Sequence, residues 1–370
     1  MITIQKIENK RTVDGEEAVN VELRGLSTDT KPTEIAEKKV DNGSLFIEMD
    51  TGEIYFYDLG SESWVNGGGS TPSVEKFSFV SGGGFTFQKN QGSSLQNEIT
   101  NIKNNVNMSS ITTMNAMFAE CPNLTSVDLT GLDTSNVTDM SELFYYDDSL
   151  SSVTLGDIDT SKVTKFNGMF AGCEALEELD VSSIDTSSAT GISSMFSNCS
   201  LLTSLDIDNF NTVNVTNMNG LFYSCEALEE LDVSNLDTSN VTNIGYMFYG
   251  CRGLTSLDVS NFNTENVENM NSMFYDCDGL TSLDLSSWDT SNVRYVNNMF
   301  QYTNLTFLDV RTFEFSSINE EEEIDAVFGS ADDEFNPNCL IVVKDATEKA
   351  WVEETYSWLT NVQTVAEYEA

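Results

Sequence analysis

The sequence predicts a repeat solenoid of the leucine-rich type with short parallel strands. Between residues 117 and 300 the dipeptide Met-Phe or Leu-Phe occurs eight times, and each occurrence follows the previous one after 26 residues. The phenylalanines of these dipeptides are Phe118, Phe144, Phe170, Phe196, Phe222, Phe248, Phe274 and Phe300. A fixed period of this length is the sequence signature of a repeat architecture. We therefore expect residues 106–310 to form eight stacked coils.

An L-x-x-L-x-L pattern of aliphatic residues begins six residues after each of the first seven phenylalanines. Alternate side chains of such a segment lie on one face of a strand. Strands of successive coils would stack in parallel at about 4.8 Å, which makes the apolar columns continuous although one coil alone cannot bury them. The Val-Thr-x-Met-x-x-Met-Phe half supplies the return leg of each coil. Its spacing is compatible with a short strand or with a helical turn.

Six of the seven cysteines share one column, three residues after the phenylalanine. The column comprises Cys121, Cys173, Cys199, Cys225, Cys251 and Cys277, with Asp147 and Thr303 in the other two coils. Disulfides are disfavoured because they would tie every coil to its neighbour at the same small position. Free cysteine is among the most buried residue types, so we interpret the column as a ladder of buried thiols rather than a metal ladder. Reduced thiols are typical of folding in a cytoplasm.

Two columns of aspartate also follow the repeat. The first lies on the strand, points away from the leucine face and stacks like charges, which calcium could relieve through oxygen ligands. Its candidate ligands are Asp180, Asp206, Asp232, Asp258 and Asp284. The second precedes an unbroken threonine column and is expected to make turns at a coil corner, because short oxygens bond nearby backbone N–H groups. It contains Asp133, Asp159, Asp185, Asp237 and Asp289. Apart from this calcium alternative, we expect no cofactor.

Tyrosine directly follows the repeat phenylalanine in four coils. These candidate ligand-binding residues are Tyr145, Tyr223, Tyr249 and Tyr275. Aromatic faces suit sugar rings, so a tyrosine ridge would serve as a glycan platform. Partly buried packing between coils is the interpretation that we favour over this platform.

The charge balance restricts the partners and the chemistry. The chain carries 17 basic and 60 acidic residues, a formal net charge of −43, and no histidine. Such a surface repels phosphate backbones and anionic lipids, so we expect neither nucleic acid nor membrane as a partner. The absence of histidine removes imidazole acid–base chemistry and histidine-based triads. No Walker loop or G-x-S-x-G motif is present, and we expect no enzymatic activity.

The repeat unit resembles the BspA-like leucine-rich repeat of bacterial surface proteins. Residues 240–260 follow the pattern N-V-T-x-M-x-x-M-F-x-x-C-x-x-L-T-S-L-D-L-S nearly throughout. The resemblance covers the repeat region and departs from the general leucine-rich pattern in lacking the usual asparagine ladder after L-x-x-L-x-L. It implies a role at a surface and binding to host or partner molecules, and it does not imply an enzyme.

The segments that flank the repeats are expected to form smaller modules. Residues 1–65 form a β-rich module in which Ser44–Met49 and Glu53–Asp58 pair around the turn Asp50-Thr51-Gly52. Residues 66–105 form a linker and N-terminal cap, with strands at Lys76–Val80 and Gly82–Phe87.

Residues 311–370 are expected to form a capping α/β segment at the end of the solenoid. Cys339–Val343 is predicted as a strand, and Asp345–Glu354 as a helix with Asp345 as its N-cap. Ala350 and Trp351 are expected on the apolar side of that helix.

The first module resembles a short module of tailed-phage structural proteins. The segments Arg24–Pro32 and Asn42–Asp58 are similar to proteins of head-fibre or capsid-decoration type. The resemblance implies that residues 1–65 attach to capsid or other virion proteins. It also favours a homo-oligomer, with a trimer preferred.

These features together predict where the protein acts. The segment Met1–Lys10 has no apolar h-region, so no secretory signal is expected; a phage structural protein needs none, because it leaves the cell by lysis. We expect a non-enzymatic phage virion surface protein (head fibre, decoration or tail-associated), made in the host cytoplasm and displayed on the virion. Its solenoid would bind a bacterial surface glycan or protein, or mucin. The alternative is a bacterial BspA-like surface adhesin.

Overall fold

The computed structural model describes the backbone of strand segments between residues 3 and 87, and the chain at residues 111–315, 327–329 and 335–370. The chain forms two compact units, Met1–Lys162 and Val163–Ala370. Residues 67–76 and 88–105, which belong to the predicted linker and N-terminal cap, lie outside the described residues.

The first unit begins with a seven-stranded sheet. Strand β1 pairs antiparallel with β2, β2 pairs in parallel with β4 and with β5, and β5, β6 and β7 form an antiparallel meander. The strands are β1 (Thr3–Val13), β2 (Glu16–Gly25), β3 (Glu34–Ile35), β4 (Lys38–Val40), β5 (Leu45–Glu48), β6 (Ile54–Asp58) and β7 (Ser63–Asn66). Strands β8 (Phe77–Val80) and β9 (Gly84–Phe87) form a separate antiparallel pair. The turn predicted at residues 50–52 lies outside the described residues.

The repeat region is a solenoid with short parallel strands. In the first unit β10 (Ser126–Asp128) pairs in parallel with β11 (Ser152–Thr154), 26 residues further along the chain. In the second unit the same leg forms the bridge between Ser204 and Glu230, and later β12 (Ser282–Asp284). The predicted parallel stacking of the repeats is therefore confirmed, although the regular strand is at most three residues long in these coils.

The return leg consists of successive turns rather than a strand or a helix. Isolated parallel bridges join Asn217 to Asn243 and Asn243 to Asn269. The positions two before and two after each repeat phenylalanine have positive φ angles throughout, whatever residue occupies them. The residues concerned that are not glycine are Ala116, Glu120, Glu142, Tyr146, Ser194, Asn198, Ser224, Tyr246, Ser272, Asp276, Asn298 and Tyr302. Left-handed backbone costs energy for such residues, so packing between coils must stabilise it.

The interior of each unit contains a ladder of the repeat phenylalanines. Phe118 stacks on Phe144 at 5.4 Å in the first unit. In the second unit the rings from Phe170 to Phe300 stack at 5.8–6.1 Å between centroids. Phe328 continues that ladder at 5.7 Å from Phe300, so the chain keeps one further rung beyond the eight regular repeats. All these rings are buried.

Backbone hydrogen bonds join each coil to the next along the return leg. Phe222 N–H donates to Met247 O at 2.9 Å, and Ser224 N–H donates to Tyr249 O at 2.6 Å. The same bonds recur in the neighbouring coils at the equivalent positions. Since these turns have their backbone groups paired between coils, stacking and turn geometry depend on each other.

A parallel sheet and two short helices form the C-terminal part of the second unit. Strands β12, β13 (Phe307–Asp309), β14 (Leu340–Val343) and β15 (Val362–Thr364) follow one another in the sheet. Helix α1 (Ala346–Thr355) begins after Asp345, whose side chain accepts from the N–H groups of Thr347 and Glu348. Helix α2 (Val365–Tyr368) begins with a capping box formed by Thr364 and Glu367.

The predicted apolar side of α1 is partly wrong. Ala350 is exposed, whereas Val352 and Glu348 are buried. Trp351 is half-buried and stacks on Phe315 at 5.6 Å. The position of one alanine is weakly determined by pattern, because a methyl group contributes little apolar area. Neither α1 nor α2 is long and apolar enough to cross a lipid bilayer.

Candidate ligand-binding surface

Three of the four predicted tyrosines form a stacked ladder in the second unit. Tyr249 lies between Tyr223 and Tyr275, with 4.5 Å between ring centroids on each side and interplanar angles of 9° and 5°. The rings are half-buried. Because each ring of the ladder covers its neighbour's face, the ladder presents ring edges and hydroxyl groups along its length. Both predicted interpretations therefore apply in part: the rings pack between coils and still reach the surface.

Two further tyrosines extend this ladder into a continuous aromatic surface. Tyr246 lies 6.0 Å from Tyr249 and 6.5 Å from Tyr223, and its side chain is 38% exposed. Tyr302 meets Tyr275 edge-to-face at 5.1 Å and is 40% exposed. We call these five residues the tyrosine surface. Tyr246 and Tyr302 were not predicted, because they occupy the columns two before and two after the phenylalanine, outside the single column that holds the four predicted tyrosines.

Tyr145, the fourth predicted residue, belongs to the first unit. It meets Tyr146 edge-to-face at 4.5 Å, and Tyr146 is 45% exposed. Burial, followed by the neighbouring Tyr146, raises the pKa of Tyr145 above its ordinary value. The tyrosine column is thus divided between the two units.

Tyr249, at the centre of the tyrosine surface, remains a protonated hydrogen-bond donor near neutral pH. Burial raises the pKa of Tyr249 well above its usual range, and the adjacent Tyr223 and Tyr275 raise it further. A neutral phenol can donate one hydrogen bond and also accept one. The ladder is therefore able to hydrogen-bond to carbonyl or hydroxyl groups of a ligand.

A charged cluster lies beside the tyrosine surface. Arg252 forms ion pairs with Asp276 at 2.5 Å and with Glu226 at 3.1 Å. Asp276 directly follows Tyr275 and acts electrostatically on Tyr249, and Asp278 acts on Arg252. Three carboxylates thus surround one guanidinium, and the cluster has a net negative charge.

The first aspartate column makes turns on the exposed strand edge. In each predicted calcium ligand, Oδ1 accepts the backbone N–H two residues later at 2.8–3.0 Å. Serine hydrogen bonds lower the pKa of Asp180, Asp232 and Asp258. A calcium ion takes six to eight oxygen ligands. Within the described parts of the chain, no group of three or more acidic or thiol side chains is placed to hold a metal.

The second aspartate column makes the predicted turns at the coil corner. For example, Asp159 Oδ1 accepts from both the N–H and the hydroxyl of Ser161, and Asp237 accepts from Ser239 N–H. The adjacent threonines are buried and bridge coils. Thr264 Oγ1 donates to Asp289 O at 2.9 Å and accepts from Asp289 N–H at 2.8 Å. This threonine ladder holds successive corners at a fixed distance.

The cysteines are free and buried, as predicted. Cys225 and Cys251 donate their thiol hydrogens to Phe196 O and Phe222 O, at 3.2 and 3.1 Å. Burial raises the pKa of Cys225 to about 12. Because the thiolate is the reactive form, these side chains are inert packing groups.

An asparagine ladder does exist, which corrects the expectation that the repeats lack one after L-x-x-L-x-L. Asn209, Asn235 and Asn261 donate through Nδ2 to carbonyl oxygens of the preceding coil, at 2.6–3.0 Å in their best contacts. They lie two residues after the last aliphatic residue of L-x-x-L-x-L, one position earlier than expected. In the next coil Trp288 Nε1 donates to Val259 O at 3.1 Å instead. The 26-residue spacing of the three asparagines in the sequence was the signal from which this ladder could have been predicted.

The fold and its ladders define a leucine-rich-type solenoid with an aromatic surface. The chain belongs to the family described as "Mycoplasma protein of unknown function, DUF285". That family matches five overlapping segments, residues 85–199, 112–230, 149–254, 191–313 and 221–339, which together cover more than half of the chain.

One solved structure is also similar. It is a leucine-rich repeat protein of Leptospira interrogans, at 10% sequence identity and a TM-score of 0.21, covering 75% of this chain and 99% of its own. No curated protein matches the sequence.

Proposed function

We propose that this chain is a non-enzymatic surface protein whose solenoid binds glycans or glycoproteins presented by another cell, mucin included. The observation that carries the proposal is the tyrosine surface: five adjacent phenol rings held on a rigid coil stack, two of them well exposed. Exposed aromatic clusters on a soluble protein mark interaction sites. The matched repeat family and the resemblance of the units to BspA-like surface repeats support a role at a surface.

The described chemistry of the chain favours binding over catalysis. Burial raises the pKa of the Cys199, Cys225 and Cys251 thiols, and aspartates of both columns accept hydrogen bonds within their own turns. A catalytic group needs a pKa matched to its task and a reacting partner within hydrogen-bond reach. We accordingly place this protein outside the enzymes.

We propose that the protein is displayed on a bacterial cell surface, and we rank this location ahead of a phage virion. The repeat family supports it, whereas display on a phage virion is supported by the resemblance of Arg24–Pro32 and Asn42–Asp58 alone. In the virion alternative, residues 1–65 would attach to capsid proteins as a trimer. Antibody labelling of intact cells of the source organism tests the first location, and mass spectrometry of purified particles tests the second. A protein found in particles and absent from cell surfaces would reverse the order.

Binding is tested with the full chain on an array of surface glycans, mucins and matrix glycoproteins. The informative variant is Tyr249→Ala, because alanine occupies the same column at Ala171 and so fits the coil. The matched control is Tyr145→Ala in the other unit. We expect saturable binding to a subset of the array, lost in the first variant and kept in the control. An array without saturable binding to any molecule would refute the proposal.

A further inference from the structure

The exposed tyrosines lie two coils apart. Tyr246 belongs to the coil of Phe248 and Tyr302 to that of Phe300, with one coil between them. Both rings contact the ladder. Tyr246 contacts Tyr223 and Tyr249, and Tyr302 contacts Tyr275. Two steps of parallel stacking amount to about 9.6 Å. Tyr246 and Tyr302 occupy different columns of the repeat, and the stacking separates their coils by about this distance along the solenoid axis.

The ladder between these two rings does not suit one sugar per coil. A sugar ring packs against an open aromatic face, and the faces within the ladder are covered at 4.5 Å by the neighbouring rings. What the ladder offers is a row of ring edges and phenol hydroxyls. A ligand for this surface needs apolar groups at the two ends and hydrogen-bond acceptors between them.

A polyproline II helix has this shape. It rises about 3.1 Å per residue with three residues per turn, so one turn spans about 9.3 Å, close to two coil steps. It makes no internal hydrogen bonds, so its carbonyl groups are free to accept from tyrosine hydroxyls. Aromatic-lined surfaces are a known way of binding such segments, since their ordering costs little entropy.

The charges beside the tyrosine surface determine which sign of charge is favoured in a ligand. Glu226, Asp276 and Asp278 surround the single cation Arg252, and the whole chain has a net charge of −43. Complementary charge speeds association and disfavours acidic partners. The surface thus suits a basic segment rather than a sialylated or sulfated one.

We propose that the tyrosine surface binds basic, proline-rich polyproline II segments, with prolines three residues apart packed against Tyr246 and Tyr302. The proposal rests on the function proposed above and names the ligand class for the same site. Tyr223, Tyr249 and Tyr275 contribute hydroxyl groups between the two prolines. The acidic cluster holds an arginine or lysine at one end of the segment.

The test measures binding of the full chain to labelled synthetic peptides by fluorescence anisotropy. The first peptide has prolines at positions i and i+3 and flanking arginines. A second has the same composition with prolines at i and i+4, and a third replaces the arginines by glutamates. We expect the first to bind at least about tenfold more tightly than the other two, with affinity that falls as salt is raised.

The variants are Tyr246→Asn and Tyr302→Asn, singly and together. Both positions have a φ angle of 59°, and asparagine tolerates left-handed backbone. The chain already places Asn298 and Asn198 in the same two columns, so these variants are expected to fold. The control is Tyr146→Asn, a third exposed tyrosine with positive φ. We expect about a tenfold weakening in the double variant and no change in the control.

Three results would overturn the inference. The peptides could fail to bind, they could bind without regard to proline spacing, or binding could persist in the double variant. If the array still gave binding to free glycans that depends on Tyr249, the proposed function would stand and the ligand class would be a glycan. A blank array together with spacing-dependent peptide binding would refute the proposed binding of glycans and glycoproteins, and would support peptide binding by the tyrosine surface.

Discussion

Asp147 is the one acidic residue in the cysteine column and provides the sharpest test of the packing argument. Its side chain is 0% exposed. Oδ1 accepts the N–H of Cys121 at 2.7 Å, and Oδ2 has no hydrogen-bond partner. Replacement by asparagine keeps an acceptor for Cys121 and removes the titrating group. Asp147→Asn therefore separates the charge of this side chain from its shape.

The size of the expected change in the free energy of unfolding follows from the pKa of Asp147. Burial raises the pKa of Asp147 from 3.8 to about 8, and each unit is equivalent to about 1.4 kcal/mol. The full shift would be about 6 kcal/mol, and relaxation and water penetration reduce such penalties in real proteins, so we expect about 3 kcal/mol. Between pH 4 and about 8 the folded state holds this proton and the unfolded state does not. The free energy of unfolding of the first unit therefore falls as the pH rises through that window.

Cys121 reports on this change because it is the one cysteine in the first unit. Its alkylation rate in the full chain, read by mass spectrometry and divided by its rate in denaturant at the same pH, measures opening of the unit. We expect protection in the wild type to fall by about a hundredfold across the window, and to stay nearly constant in Asp147→Asn. Cys225, in the second unit, serves as the internal control. Equal pH dependence in both proteins, or protection that rises with pH, would refute the reasoning.

Three further predictions concern the coil stack. Thr264→Val leaves both backbone groups of Asp289 without their side-chain partner and should cost about 2–4 kcal/mol in urea unfolding, whereas Thr264→Ser should cost less than half of that; equal costs would contradict the ladder. Gly279→Ala places a methyl group 2.6 Å from Leu254 O and against Arg252 O, so its melting temperature should fall, while Gly131→Ala meets no neighbouring atom within 4 Å and should lower it less. All seven thiols are buried and free. A thiol reagent should therefore react with none of them in the native protein and with all of them after denaturation. Fast labelling of any cysteine in the native protein would argue against the ladder of buried thiols.

Periodicity predicted the solenoid well, because one strict repeat reports on packing, turns and polar contacts at once. The phenylalanine ladder, the free cysteine column and the turns at Asp159 and Asp237 all follow from residues that recur every 26 positions. The asparagine ladder at Asn209, Asn235 and Asn261 was visible by the same logic and was missed, since it lies one position away from the usual pattern.

The binding surface could be predicted only in part. Tyr223, Tyr249 and Tyr275 were predicted, because they share one position in the repeat. Tyr246 and Tyr302 were not predicted, since neither has a tyrosine in its own column in the adjacent coils. Their rings join the ladder because two left-handed residues in each coil fold the return leg back around the phenylalanine.

By itself, the sequence determined the class of fold, the interior of each coil and the state of the thiols, since these depend on spacing and side-chain type alone. Tertiary structure decided the conformation of the return leg and the composition of the tyrosine surface. It also decided which faces of the stacked rings remain open. The physical reason is that the turns around each phenylalanine are stabilised by hydrogen bonds to the next coil. A pattern within one repeat cannot show how that repeat bonds to its neighbour.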